Sequence, residues 1–264
     1  MLKYLTVKAL LLRCGLVEEL IEYLKGLEKA VLAFSGGVDS SLLAYLLKRA
    51  DVDFEAVMVV TEFISERRVS EATKISRKIG FNLKILRRKA SEEMLKNDEL
   101  RCYYCKKMIF SEISELYPDR PILDGTNYSD IGKERPGMRA LEEFGVLSPL
   151  AIFKLRKEDV RAIARSFGLD FYNKPSDSCL ATRIYGKITK EKLEFVDTAE
   201  RVAERIITGK VEKLRVRVGR GFEIFLWFGC INNRSTTSNA LSPGIMHNTN
   251  GNRRGETCQG HQKY

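Results

Sequence analysis

No apolar run in this sequence is long enough to cross a membrane. The longest, such as VLAF at 31–34 and AVMVV at 56–60, fall far short of the ~20 residues a span requires. The first residues carry Lys8 and Arg13 inside their apolar stretch and no small-residue cleavage site, so a secretory signal is not expected and a cytoplasmic location is. Histidine is scarce. Both copies, His247 and His261, fall in a C-terminal stretch with almost no apolar periodicity, so the folded part is expected to work without histidine general-base chemistry. A disulfide framework is not expected either. Of the cysteines at 14, 102, 105, 179, 230 and 258, only CYYC at 102–105 has the close spacing of metal or redox chemistry.

What is present is a chain of 264 residues, 44% hydrophobic and 30% charged, enough for one large domain or two small ones sharing a core. The net charge of +10 suits nucleic acid or a small phosphorylated substrate. The basic residues are spread without interleaved aromatics, which argues for a solvated surface with local anion sites.

Short β-rich runs alternate with helical periods from residue 31 to about 170. AVLAF (30–34), FEAVMVV (54–60), NLKILRR (82–88) and PILDGTN (121–127) read as strands. Helices are expected over 40–50, 66–80, much of 91–117, and 157–168, the second and last closed by glycine. The fold class is therefore α/β, a parallel sheet covered on both faces, with ligands at the carboxyl ends of its strands. Beyond KPSDSCLATRI the pattern changes to a long amphipathic helix (189–207) and two alternating strands, KLRVRV and FEIFLWF. The expected domains are 1–175, a smaller α+β domain over 176–228, and an irregular Asn-rich tail over 229–264.

The stretch FSGGVDSS (34–41) runs from a strand through a glycine pair into a helix. Glycine allows a ligand to approach the backbone closely, and the opening turn of a helix offers unpaired N–H groups to an anion. Ser35, Ser40 and Ser41 add hydroxyls. A Walker loop would carry a lysine for the β- and γ-phosphates, and this loop has none. It resembles the PP-loop of ATP pyrophosphatases, which holds pyrophosphate while a nucleophile attacks the α-phosphorus. That resemblance makes Ser35, Gly36, Gly37, Val38, Asp39, Ser40 and Ser41 the ATP-binding residues, with Asp39 a hard oxygen ligand for Mg²⁺. Thr61 would lie near the adenine or ribose, and Gly125 and Thr126 of DGTN complete the expected nucleotide set.

Cys102 and Cys105 can bind one metal or cluster, with a third thiolate best supplied by Cys179 in KPSDSCLATRI. A structural zinc half-site, unligated thiols, or an inert buried Cys179 are the alternatives. The motifs FSGGVDSSLLAYL, RCYYCK, DGTNYSD, RPGMRAL, SPL, KPSDSCLATRI and LRVRVG occur in the order found in the LarE family, which the chain resembles over roughly residues 20 to 220. That family consists of PP-loop sulfur transferases that help make the nickel-pincer nucleotide cofactor of lactate racemase. The resemblance implies adenylation of a carboxylate on pyridinium-3,5-biscarboxylic acid mononucleotide, then sulfur delivery to give the thiocarboxylic acid. Cysteine at all three positions resembles the class that holds a [4Fe-4S] cluster through Cys102, Cys105 and Cys179, with sulfide or another compound as sulfur donor.

Arg215 and Arg217 repeat on one strand face and suit a substrate phosphate or carboxylate. Arg183 is expected to offset adenylate or substrate charge, Asp130 and Arg135 to contact the nucleotide or organise their loop, and Glu200 to bind a metal or substrate at a contact within a homo-oligomer. The competing reading is a tRNA thiolase, also a PP-loop protein with a three-cysteine cluster, which the positive charge would suit.

Overall fold

Lys29–Ala33 (β1), Asp53–Val60 (β2), Leu83–Arg87 (β3) and Ile122–Asp124 (β4) pair in parallel in the order β3-β2-β1-β4. The computed structural model describes residues 15–132, 136–206, 211–219 and 224–230. Contacts divide it between Cys179 and Leu180 into two units. The expected boundary at 175 would have cut the KPSDSC segment, which here stays whole with the first unit.

Helix α1 covers residues 15–25, followed by Val38–Arg49 (α2), Glu66–Ile79 (α3), Glu92–Leu95 (α4), Arg101–Leu116 (α5), Pro136–Glu143 (α6), Pro149–Ile152 (α7) and Lys157–Ser166 (α8). The alternation of side chains along each strand sorts the core into two layers. Leu32, Ala56, Met58 and Val60 face a cluster with Leu20, Leu42, Leu46, Val69 and Ile163 from α1, α2, α3 and α8. Val31, Val57 and Val59 face the other side, against Tyr103, Phe110, Ile113, Ala140 and Leu141 from α5 and α6. The sheet is thus covered on both faces, as its apolar strands require. Truncating a fully buried leucine such as Leu46 would cost about 2–5 kcal/mol.

Helix boundaries follow local chemistry. Ser65 caps α3 by accepting from the Arg68 amide, and Gly80 closes it at φ 84°, a left-handed position that glycine adopts without penalty. In the second unit, a 3-10 turn Leu180–Arg183 precedes Lys190–Ile206 (α9), which buries Leu193 and Val196. Val211–Val218 (β5) pairs antiparallel with Ile224–Cys230 (β6), Arg215 opposite Trp227. Strand β6 continues through Gly229 and Cys230, two residues into the stretch expected to be irregular. Residues 231–264 lie outside the described residues.

Candidate functional site

Strands β1 and β4 lie side by side while the chain builds outward from β1 through β2 and β3 on one flank and reaches β4 on the other. That is a topological switch point, where crevices open at the carboxyl ends of parallel strands. The loop after β1 carries SGGVDSS into α2, and the loop after β4 carries Gly125, Thr126 and Asn127.

Only one of the paired glycines is conformationally special. Gly36 sits at φ +70°, and a Cβ there would meet the Ala72 Cβ of α3 at 2.9 Å. Gly37 is extended at φ −79° and forms the N-cap of α2. A net of serines holds the turn: the Ser35 and Ser40 hydroxyls are 3.0 Å apart, the Gly37 amide donates to Ser35 Oγ at 3.3 Å, and Ser40 Oγ donates to the Gly37 carbonyl at 3.3 Å. Ser41 is fully buried, and its Oγ finds no partner among the described residues. From the other strand, Gly125 presses against the first turn of α2, where a Cβ would stand 2.7 Å from the Ser40 amide nitrogen. Asp124 organises this approach by accepting from the Thr126 amide (3.1 Å), the Thr126 hydroxyl (2.5 Å) and the Ser148 hydroxyl (2.6 Å).

A cavity of about 240 Å³ opens over the loop, lined by Ser35, Gly36, Gly37, Val38, Asp39 and Asp130 among the expected residues. Ser40, Ser41, Thr61, Gly125 and Thr126 are not among its lining residues. Thr61 stands just past β2, 6% exposed, its Oγ1 accepting from the Phe63 amide at 3.3 Å. Burial pushes the Asp39 carboxyl above its ordinary value, against the Asn127 amide that donates to it at 3.1 Å and the charge of Lys157, while Asp130 adds to the rise. A carboxylate so disposed fits a hard divalent cation, whose charge would favour its ionised form.

The loop has no lysine of its own, yet four cations line the cavity: Arg68, Lys157, Arg161 and Lys174. Arg68 Nε donates to the Ser35 carbonyl at 3.3 Å, and Lys157 Nζ to the Ser176 hydroxyl at 2.6 Å. Arg161 donates to the carbonyls of Tyr172 and Lys174, each at 2.7 Å. Lys174 Nζ donates to the Gly36 carbonyl at 3.2 Å and pairs with Glu71 at 2.6 Å. Sequence reading singled out none of these four, since each looks like an ordinary basic residue of an amphipathic helix or loop. Asp124 and Asn127 were missed too, though the flanks of Gly125-Thr126 in DGTN were their signal.

Cys102 and Cys105 stand one turn apart on α5, a spacing that puts both on one face. Cys102 is exposed, and Cys105 and Cys179 are half-buried. Burial, then the neighbouring charges of Cys179 and Cys102, push the Cys105 thiol up to about 12. The three sulfurs therefore share one electrostatic neighbourhood within the first unit. Among the described residues, no three His, Cys, Asp or Glu side chains converge on a single metal-ion position. An all-thiol donor set without histidine fits iron–sulfur ligation in kind, and the raised pKa of Cys105 means that a cationic group would be needed to hold that sulfur as a thiolate.

The other expected residues fall in the second unit or outside the description. Arg183 is 2% exposed; its Nε donates to Glu200 at 2.7 Å, and the same carboxylate oxygen accepts the Val216 amide at 3.1 Å. The positive charge expected to offset a substrate is compensated by Glu200, in a tie linking the 3-10 turn, α9 and β5. Arg215 is half-buried, and the exposed Arg217 donates to the Tyr185 hydroxyl at 3.2 Å. They share the β5 face opposite the buried Val216 and Val218. Arg135 lies outside the described residues.

Comparison with known proteins fits this geometry. Residues 13–102 match the NAD synthase family model. The chain is 30% identical over 193 residues to the pyridinium-3,5-bisthiocarboxylic acid mononucleotide synthase of Lactiplantibacillus plantarum, covering 69% of each chain. It is 34% identical over 189 residues to an uncharacterised protein of Methanocaldococcus jannaschii, covering 70% of this chain and 73% of that one. It is also 30% identical over 215 residues to the glutamine-hydrolysing GMP synthase of Thermus thermophilus, covering 70% of this chain and 42% of that one. The NMN synthetase of Francisella tularensis shares the fold, with a TM-score of 0.52 at 15% identity over 62% of this chain and 75% of that one.

Proposed function

Because the chain belongs to the LarE family and is an ATP-using PP-loop enzyme that transfers sulfur, we propose that it adenylates a carboxylate of pyridinium-3,5-biscarboxylic acid mononucleotide and converts it to the thiocarboxylic acid. What supports this reading is the placement of Cys102 and Cys105 one turn apart on α5, with Cys179 near enough to bear on the Cys105 thiol, in the same unit as the SGGVDSS loop. An amide-forming synthetase would leave those three thiols without a role.

The loop amides at Gly36 and Gly37, the Ser35 and Ser40 hydroxyls and the N-terminus of α2 would hold the pyrophosphate portion of ATP. Asp39 would hold Mg²⁺ against the phosphate oxygens, and that ion supplies charge neutralisation. A substrate carboxylate oxygen attacks the α-phosphorus, the bond to the bridging oxygen breaks, and pyrophosphate leaves. A sulfur nucleophile then attacks the adenylated carbonyl carbon, and AMP departs with the electron pair of the C–O bond. Cys102, Cys105 and Cys179 would hold a [4Fe-4S] cluster, which when bound supplies an iron site without a protein ligand, able to carry sulfide. Arg215 and Arg217 take the substrate phosphate, with the Tyr185 hydroxyl orienting Arg217. Arg183, paired with Glu200, is a positioning residue for the segment that follows Cys179.

The test is anaerobic incubation with ATP, Mg²⁺, sulfide and the pyridinium substrate, following pyrophosphate and product mass. Pyrophosphate release that depends on the substrate, with one oxygen replaced by sulfur in the product, is the expected result. Pyrophosphate release that depends on tRNA, or on ammonia with amide formation, would overturn it.

A further inference from the structure

The loop lacks the lysine that phosphate-binding loops often carry, and the KPSDSC segment brings one to it. We propose that Lys174 is a pyrophosphate-binding residue, contributed to the loop by the segment that ends in Cys179, and that it exchanges Glu71 for phosphate when ATP binds. This rests on the ATP-dependent reading above and adds to it a residue that ties nucleotide occupancy to the cysteine-bearing segment.

Lys174 Nζ stands 3.2 Å from the Gly36 carbonyl, so the ammonium is already at the loop's turn. Its side chain lines the cavity together with Ser35, Gly36, Gly37 and Asp39. The other cations there are engaged as well: Arg161 spends two guanidinium nitrogens on backbone carbonyls, and Arg68 Nε holds the Ser35 carbonyl. Arg161 instead fixes the backbone from which Lys174 projects, and Lys157 fixes it again at Ser176.

Glu71 is built for the exchange. Its Oε2 takes Lys174 at 2.6 Å, while its Oε1 takes Arg67 Nε at 3.0 Å. When Lys174 moves to phosphate, Arg67 still neutralises the carboxylate, so the swap leaves no orphaned charge. A flexible ammonium with three donors can make that move through side-chain rotation. Cys179 lies five residues along the same segment.

ATP and AMP share everything except the β- and γ-phosphates, so their affinities separate binding from folding. Lys174→Ala should weaken Mg·ATP binding by titration calorimetry about 30-fold, which is about 2 kcal/mol at 1.4 kcal/mol per tenfold, and AMP binding less than twofold. Lys174→Arg should recover most of the loss. Glu71→Gln should tighten ATP about threefold by freeing Lys174, the opposite of what a merely structural ion pair predicts. Equal losses for ATP and AMP, no loss of ATP in Lys174→Ala, or weaker ATP binding in Glu71→Gln would each overturn the proposal. If Lys174→Ala does not fold, Lys174→Gln and Glu71→Gln carry the same comparison. A wild type that fails to bind ATP at all contradicts the functional reading itself, whereas a wild type that binds ATP beside insensitive variants contradicts only the role of Lys174.

Discussion

Replacing each of the paired glycines by alanine asks which of them the loop requires. At Gly36 two penalties add. The residue sits at φ +70°, where an L side chain costs about 1–2 kcal/mol. Its Cβ would stand 2.9 Å from Ala72 Cβ and 3.3 Å from Ala72 Cα, overpacking worth a further ~1–3 kcal/mol because α3 must shift. Gly36→Ala is therefore expected to destabilise the first unit by about 2–5 kcal/mol and to spoil ATP binding. At Gly37 the backbone is extended at φ −79° and ψ 169°, and the nearest atom is Ser35 Oγ at an ordinary 3.4 Å. Alanine fits there, and its effect should stay within about 1 kcal/mol of neutral. Urea unfolding followed by far-ultraviolet circular dichroism measures both; tryptophan fluorescence would not serve, since the one tryptophan, Trp227, lies on β6 of the second unit. Ala72→Gly added to Gly36→Ala should give a favourable coupling of at least ~1 kcal/mol, because it removes the nearest clash. Equal costs at the two glycines, or no coupling to Ala72, would refute the account of the turn.

Arg183→Ala should destabilise the second unit by about 3–5 kcal/mol, because it leaves the Glu200 carboxylate, 13% exposed, without its guanidinium; hydrogen exchange that is no faster over β5 and α9 would count against this. Glu71 is held below its ordinary 4.5, since the hydrogen bonds from Lys174 and Arg67 outweigh burial, which acts the other way. A depressed carboxylate contributes stability that is present above 4.5 and lost as the pH falls below it, so the protection of residues 172–178 should be flat from neutral pH down to mild acid and decline only below; a decline near neutral pH contradicts it. In iron-free protein, Cys105, with its thiol pushed up to about 12, should resist iodoacetamide at neutral pH while the exposed Cys102 reacts; mass spectrometry that finds equal labelling would overturn that ordering.

The elements were legible where the pattern is local. The four strands and the helices over α2, α3, α5, α8 and α9 follow from periods of two and 3.6 and from glycine stops. Helix α4 falls inside the stretch 91–117 expected to be largely helical, whereas α7, with four residues, and α6, with eight, are too short for a period to declare itself. The strand, turn and helix of the loop were legible because strand, glycine pair and helix are contiguous in the sequence. The loop's cations were not, because Lys157, Arg161 and Lys174 arrive from more than a hundred residues away and nothing local marks a lysine as facing a distant turn. Gly125 shows the same limit, since DGTN reveals a loop but not that its glycine touches the backbone of Ser40. Arg183 looked like a charge for a substrate because its partner, Glu200, is a helix residue whose inward orientation only packing determines.

The central claim is that Cys102, Cys105 and Cys179 act together in ATP-driven sulfur transfer. Anaerobic reconstitution followed by iron and sulfide analysis of the wild type and Cys179→Ala tests it most directly. The account predicts about four irons per wild-type chain, as one [4Fe-4S] cluster requires, and their loss in the variant. A wild type that stays free of iron, or a Cys179→Ala variant that keeps all of it, would contradict the claim.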